Sequence, residues 1–209
     1  GKMKLQGSGT MAHSWILSFE NELDAFKAYL KCYPHDGILL VDTYDTRQGI
    51  KNAIRASNET GVPLLGIRID SGDLAYWSRE ARKLLDQSGH RQTLLVASND
   101  LDEFVIENLV SVQKAPFDIF AAGTKADDFE ALGGVYKNKE YLGHDKMKIA
   151  AGKTTIPGKT NVLRAIQEGE CAGDIIVRQD DDCVRYGKTD RELVSYRLNS
   201  PERQVKKFA

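Results

Sequence analysis

Cysteine is scarce in this chain: Cys32, Cys171 and Cys183 are the only three. An odd number without metal-ligand spacing excludes a disulfide framework or a cysteine-built zinc site as the basis of the fold. These residues read as reduced thiols of a cytoplasmic protein. No apolar run approaches the length of about 18 residues that a membrane helix needs, and no apolar leader opens the chain. The chain also lacks an excess of either charge, with 29 Lys and Arg against 30 Asp and Glu and a net charge of -1. That removes the bulk electrostatic case for nucleic acid or an anionic membrane as partner, so any phosphate binding must be local. There is no internal repeat beyond an alternation of strands and helices. Histidine is present four times, with no second histidine at ligand spacing from His13.

What is present is the material of a soluble globular protein. The 209 residues are 41% hydrophobic and 28% charged, enough for one domain with a sizeable core, or one domain and a small appendage. Residues 1–8 are polar and glycine-bearing and read as a lead-in. A helix is expected near Asn21, with Leu23, Phe26 and Leu30 on one stripe and Pro34 beyond it. A rhythm then begins. Ile38-Leu39-Leu40-Val41 ends in Asp42, and Asp45-Thr46 starts a helix that stops before Gly61. Pro63 to Asp70 is a second strand, and the helix after it carries Leu74, Trp77, Ala81, Leu84 and Leu85. Thr93 to Ser98 is a third strand, and Asp100-Leu101-Asp102-Glu103 has the pattern of a capping box opening the next helix. Phe117 to Ala122 is a fourth strand, followed by Gly123-Thr124.

Continuous apolar strands alternating with helices imply a parallel sheet with right-handed crossovers. The pattern fits an open doubly wound sheet or a βα-barrel equally. Both place ligands at the C-terminal ends of the strands, where Asp42, Asp70, Asp100 and Gly123-Thr124 fall. After Gly134 the rhythm gives way to short strands near Val135-Tyr136, Lys146 to Ile149 and Gly173 to Val177, in a β-rich and more polar stretch. The final twenty residues read as surface.

Each candidate residue has a plain structural explanation beside the chemical one. Asp45 suits a helix cap, which leaves Asp42 free for chemistry. Arg68 and Asp70 leave their strand on one face, opposite Ile67 and Ile69. A guanidinium and carboxylates suit a Mg²⁺–phosphate substrate, but taken alone the stretch slightly favours a strand–helix ion pair, because structural ion pairs are common. Asp73 suits a helix start. The capping-box pattern accounts for Asp100, and only its strand-end position argues for more. Gly123-Thr124 is placed to present N–H groups and a hydroxyl to phosphate, a weak signal alone. A lone His13 in an apolar stretch reads first as a hydrogen-bonded core residue. His35, His90 and His144 lie in loops and take no role.

Taken together, six runs in order resemble nicotinate phosphoribosyltransferase, of the type II phosphoribosyltransferases. They are Gly-Thr-Met-Ala-His-Ser-Trp (9–15), Leu-Leu-Val-Asp-Thr-Tyr-Asp-Thr (39–46), Gly-Ile-Arg-Ile-Asp-Ser-Gly-Asp-Leu (66–74), Ala-Ser-Asn-Asp-Leu-Asp-Glu (97–103), Ala-Gly-Thr (122–124) and Leu-Gly-Gly-Val-Tyr-Lys (132–137). Lys146 to Lys159 resembles the family more loosely. The resemblance implies an α/β fold, an irregular parallel α/β-barrel present in part, with a small β-rich C-terminal extension. It divides the chain into a lead-in (1–8), a barrel core (9–137) and an extension with a polar tail (138–209). It implies that nicotinate and phosphoribosyl pyrophosphate give nicotinate mononucleotide and pyrophosphate, in NAD biosynthesis, with Mg²⁺ and with ATP as co-substrate.

By the same resemblance His13 matches the histidine that is phosphorylated, which reverses its first reading. Arg68 matches a phosphate-holding arginine, and Asp42 and Asp70 match acidic residues of the reaction centre, with Asp70 a candidate for Mg²⁺. Asn99 and Asp100 match a ribose-contacting position, and Gly123 and Thr124 a phosphate-cradling loop. The family further implies a homo-oligomer, a dimer, at full length, and a longer chain whose remaining part precedes residue 9. Nicotinamide phosphoribosyltransferase is the alternative within the class. A fragment that binds phosphoribosyl ligands without catalysis, or only associates, is the alternative outside it.

Overall fold

β1 (Ile38–Leu40) is buried at every position, which an apolar strand reaches only when both of its faces are covered. In the computed structural model, residues 10–123, 136–148, 155–167, 170–179, 192–196 and 204–206 are described. β1 pairs in parallel with β2 (Gly66–Ile69), β2 with β3 (Leu94–Ala97), and β3 with β4 (Ile119–Phe120), in the order 1-2-3-4. The register sets Leu39 against Ile67 and Ile67 against Leu95, and all three are fully buried. Right-handed crossovers between strands added always on the same side put the intervening helices on one face of the sheet. The order shows no reversal among these four strands, so the switch point of a doubly wound sheet is not among them.

The helices form where their caps and stripes dictate. α1 (His13–Leu17) is short and buries Ile16 and Leu17. α2 (Glu22–Cys32) starts at Asn21, whose side chain accepts the Asp24 N–H. α3 (Thr46–Thr60) is capped by Asp45, which accepts the Gln48 N–H at 2.7 Å, and ends on Gly61 in the left-handed conformation. α4 (Leu74–Gln87) is capped by Asp73 through the Tyr76 N–H. α5 (Glu103–Glu107) is capped by Asp102, through the Val105 N–H, and runs into a π-helical turn (Asn108–Val112). The capping-box expectation therefore moves by two residues: Asp100 is not the cap. Asn99 and Asp100 instead take positive φ angles of 96° and 45°, which turn the chain sharply at the end of β3.

Gly49 explains how closely α3 seats on β1. A Cβ there would lie 1.9 Å from the Val41 carbonyl oxygen, so only glycine permits the approach.

The C-terminal part is antiparallel. β5 (Glu140–Tyr141) and β6 (His144–Asp145) form a hairpin across Leu142 and Gly143, both at positive φ as a two-residue primed turn requires. β7 (Thr160–Gln167), β8 (Glu170–Arg178), β9 (Glu192–Tyr196) and β10 (Gln204–Lys206) form a sheet in the order 10-9-7-8. The short strands expected at 135–136 and 146–149 differ in outcome. Tyr136 and residues 146–148 are outside regular structure, and 135 and 149 lie outside the described residues. The final twenty residues, expected as surface, include all of β9 and all of β10. None of the helices among the described residues is long and apolar enough to cross a membrane.

Candidate active site

The strand ends converge through one carboxylate. Asp42 follows β1 by two residues and is 1% exposed. Its Oδ2 accepts the Asp70 backbone N–H at 3.1 Å and the Ser71 hydroxyl. Its Oδ1 is buried with no hydrogen-bond partner and lies 3.8 Å from His13 Nε2. Asp45 takes the capping work, as the sequence pattern anticipated, and this leaves the Asp42 carboxylate turned inward.

Asp70 ends β2. Its Oδ1 accepts the Ser98 hydroxyl at 2.7 Å from the end of β3, and its Oδ2 lies 3.5 Å from His13 Nε2. Asp70 is a quarter exposed where Asp42 is sealed, so the two carboxylates face different surroundings. His13 stands at the start of α1. Its Nδ1 is 3.0 Å from the Thr43 hydroxyl, and its Nε2 is 2.6 Å from Lys148 Nζ. His13, Asp42 and Asp70 each offer a ligand atom, all within 4.8 Å of one another.

A cavity of about 320 Å³ opens beside this cluster. His13, Arg68, Asp70, Lys137, Asn138 and Lys148 supply its polar lining, with Ala12 and Leu17 among the apolar positions. Three of those side chains are cations, which gives a near-neutral chain a locally positive pocket. Arg68 is half-buried, with Nε inside and without a hydrogen-bond partner.

One further buried carboxylate lies outside the cavity. Burial pushes the Glu22 carboxyl up to about 7, against the opposing hydrogen bond from Asn52, and the charges of Asp42 and Asp45 push the same way. Its Oε2 accepts the Asn52 amide at 2.9 Å, while Oε1 is buried without a partner.

Of the residues proposed from sequence, the structure brings together His13, Asp42, Arg68 and Asp70. Asn99, Asp100 and Gly123 follow β3 and β4 on the same edge of the sheet but do not line the cavity. Thr124 lies outside the described residues, as does most of the 132–137 run. Sequence reasoning missed Lys148, Asn138, Thr43, Ser71 and Ser98. The loose resemblance across 146–159 is the one signal that pointed toward Lys148.

No family model matches the chain. Among curated proteins it is 43% identical over 188 residues to nicotinate phosphoribosyltransferase of Bacillus subtilis (strain 168), covering 83% of this chain and 38% of that relative. It is 39% identical over 184 residues to nicotinate phosphoribosyltransferase of Dictyostelium discoideum, covering 80% of this chain and 31% of that relative. The chain thus spans well under half the length of these relatives. Its fold resembles the crystal structure of nicotinate phosphoribosyltransferase from Porphyromonas gingivalis with a TM-score of 0.54 at 20% identity, over 72% of this chain and 44% of that one.

Proposed function

Because the chain belongs to the nicotinate phosphoribosyltransferase family, we propose that its protein joins nicotinate to the ribose of phosphoribosyl pyrophosphate in NAD biosynthesis. The ring nitrogen of nicotinate forms a bond to the anomeric carbon, the bond from that carbon to pyrophosphate oxygen breaks, and pyrophosphate leaves. ATP hydrolysis is coupled through His13: the γ-phosphoryl group passes to the imidazole, ADP leaves, and water later releases phosphate. The single observation that carries this reading is the placement of His13 within 4 Å of Asp42, Asp70 and Lys148, on a cavity it shares with Arg68.

The roles follow from the surroundings of each side chain. Arg68 presents a forked donor toward the leaving pyrophosphate, whose charge grows as the anomeric bond breaks. Asp70, open to the cavity, faces the sugar as it gains cationic character. Asp42, sealed below, orients the imidazole and offsets positive charge on it as the phosphoryl group arrives. Asn99 and Asp100 are proposed for the ribose, and Gly123 and Thr124 for phosphate. Asp70 also fits Mg²⁺, being a partly exposed oxygen donor in a cluster where Asp42 Oδ1 has no hydrogen-bond partner. When bound, Mg²⁺ neutralises charge on the diphosphate.

The parallel sheet is proposed as an arc of an irregular α/β-barrel, with residues 9–137 as core and 138–209 as extension. The monotonic strand order supports this. A homodimer at full length and a cytoplasmic location are part of the same proposal. The test supplies phosphoribosyl pyrophosphate, Mg²⁺ and ATP with nicotinate or with nicotinamide. Nicotinate mononucleotide from nicotinate, with matching phosphate release, is the expected result. A His13→Ala protein that still couples ATP hydrolysis to product formation removes His13 from the phosphoenzyme role.

A further inference from the structure

We propose that Asn138 is a ligand-contacting residue of the cavity, whose side-chain amide donates to a phosphate oxygen of the diphosphate held at Arg68. The inference rests on the reading above, which brings a diphosphate to Arg68, and goes beyond it by assigning a contact from the C-terminal part of the chain.

Asn138 is 9% exposed and lines the cavity. A carboxamide offers two donors and an acceptor with two lone pairs, and a polar group so buried is normally bonded. Among the described residues, none is hydrogen-bonded to the Asn138 side chain. Arg68, which reaches the same cavity from β2, has its Nε buried and likewise without a partner. Two polar groups from distant parts of the sequence thus meet one cavity with hydrogen bonds unmade. Arg68 takes only acceptors, so the group that completes both is an oxygen rich in lone pairs. A phosphate oxygen is such an acceptor, and it bonds a guanidinium and an amide N–H together. The amide is neutral, so its donation does not depend on the ionisation of His13, Asp70 or Lys148.

The backbone that presents Asn138 is fixed. The next carbonyl, that of Lys139, accepts the N–H groups of Lys146 at 2.9 Å and Gly158 at 2.8 Å. Lys139 Nζ donates to the Thr160 hydroxyl at 2.5 Å. An amide carried on such a support gives up little freedom when a ligand binds. Its unmade bonds also cost the free protein stability, which an apolar side chain of the same size would not.

Isothermal titration with inorganic pyrophosphate tests this in the full-length protein, beside thermal unfolding without ligand. Asn138→Leu keeps the size and removes the donors. Its affinity is expected to fall about 10-fold, while its unfolding midpoint equals or exceeds that of wild type. Asn138→Asp keeps the shape and replaces donors by acceptors, and its affinity is expected to fall further. Unchanged affinity in Asn138→Leu, wild-type affinity in Asn138→Asp, or a wild-type protein that does not bind pyrophosphate overturns the proposal. So does a lowered midpoint or failure to fold in Asn138→Leu, because the amide would then be bonded within the chain. Binding is measured without nicotinate or ATP. A protein that binds pyrophosphate as expected yet forms no mononucleotide therefore overturns the reaction assigned above and leaves this contact standing.

Discussion

Asp42 accepts the backbone N–H of Asp70 at 3.1 Å, so a residue just beyond β1 holds the residue just beyond β2. The Ser71 hydroxyl binds the same oxygen. Replacing Asp42 by Ala leaves that hydroxyl and that N–H without their acceptor in a largely closed setting. A loss on the order of 2 kcal/mol or more is expected, read by urea unfolding. Asp42→Asn keeps an acceptor oxygen and is expected to cost less stability, while lowering the rate of phosphohistidine formation from ATP.

Glu22 makes stability depend on pH in a definite direction. Its carboxyl titrates at about 7 in the folded protein against 4.5 ordinarily, because burial disfavours the charged form. Below the lower value both states are protonated and nothing is lost. As pH rises toward 7 the unfolded chain releases its proton while the folded one keeps it, so stability falls. Glu22→Gln removes the effect. It is expected to match wild type at pH 4 and exceed it by an amount on the order of 3 kcal/mol at pH 8. Thermal or denaturant unfolding across that range gives the comparison, and equal slopes for the two proteins would contradict it.

Gly49 admits no side chain. The added Cβ of Gly49→Ala would meet the backbone of Val41, which cannot rotate away, so α3 must lift from β1. A loss of about 3 kcal/mol or failure to fold is expected. Gly61→Ala, with open space around it and strain only in its left-handed backbone, is expected to cost about 1 kcal/mol and provides the contrast.

Arg68 is expected to matter for binding more than for folding. Arg68→Ala should weaken the affinity for pyrophosphate about 10- to 100-fold in isothermal titration, the scale of a lost charge-assisted pair. Unfolding midpoints close to wild type would separate this from a structural effect.

The caps and strands were legible because they are local. Asp45, Asp73 and Asn21 each announce a helix within four residues, and Ile67, Arg68, Ile69 and Asp70 fix their own faces by alternation. The capping box at Asp100 misled because Asp102 satisfies the same chemistry two residues later, and backbone conformation, not residue type, decides between them. Arg68, Asp70 and Asp42 were readable as strand-end residues, but their grouping with His13 came from a resemblance and not from spacing. Lys148 was legible only through the loose resemblance across 146–159: no local pattern marks it, and its partner is 135 positions away. Thr43, Ser71 and Ser98 are small hydroxyl residues whose importance comes only from the carboxylate or ring that each one meets.

That same separation bears on the order in which the molecule is made. The parallel sheet and its helices form from neighbouring units, whereas the His13–Lys148 contact must close a loop of most of the described chain. A ribosome that has released residues up to Phe120 has supplied every strand of that sheet, yet His13 still lacks the group that faces it. The scaffold is available early in synthesis and the chemistry late, so a chain truncated before residue 148 would hold every strand of its parallel sheet and still be incomplete at its histidine.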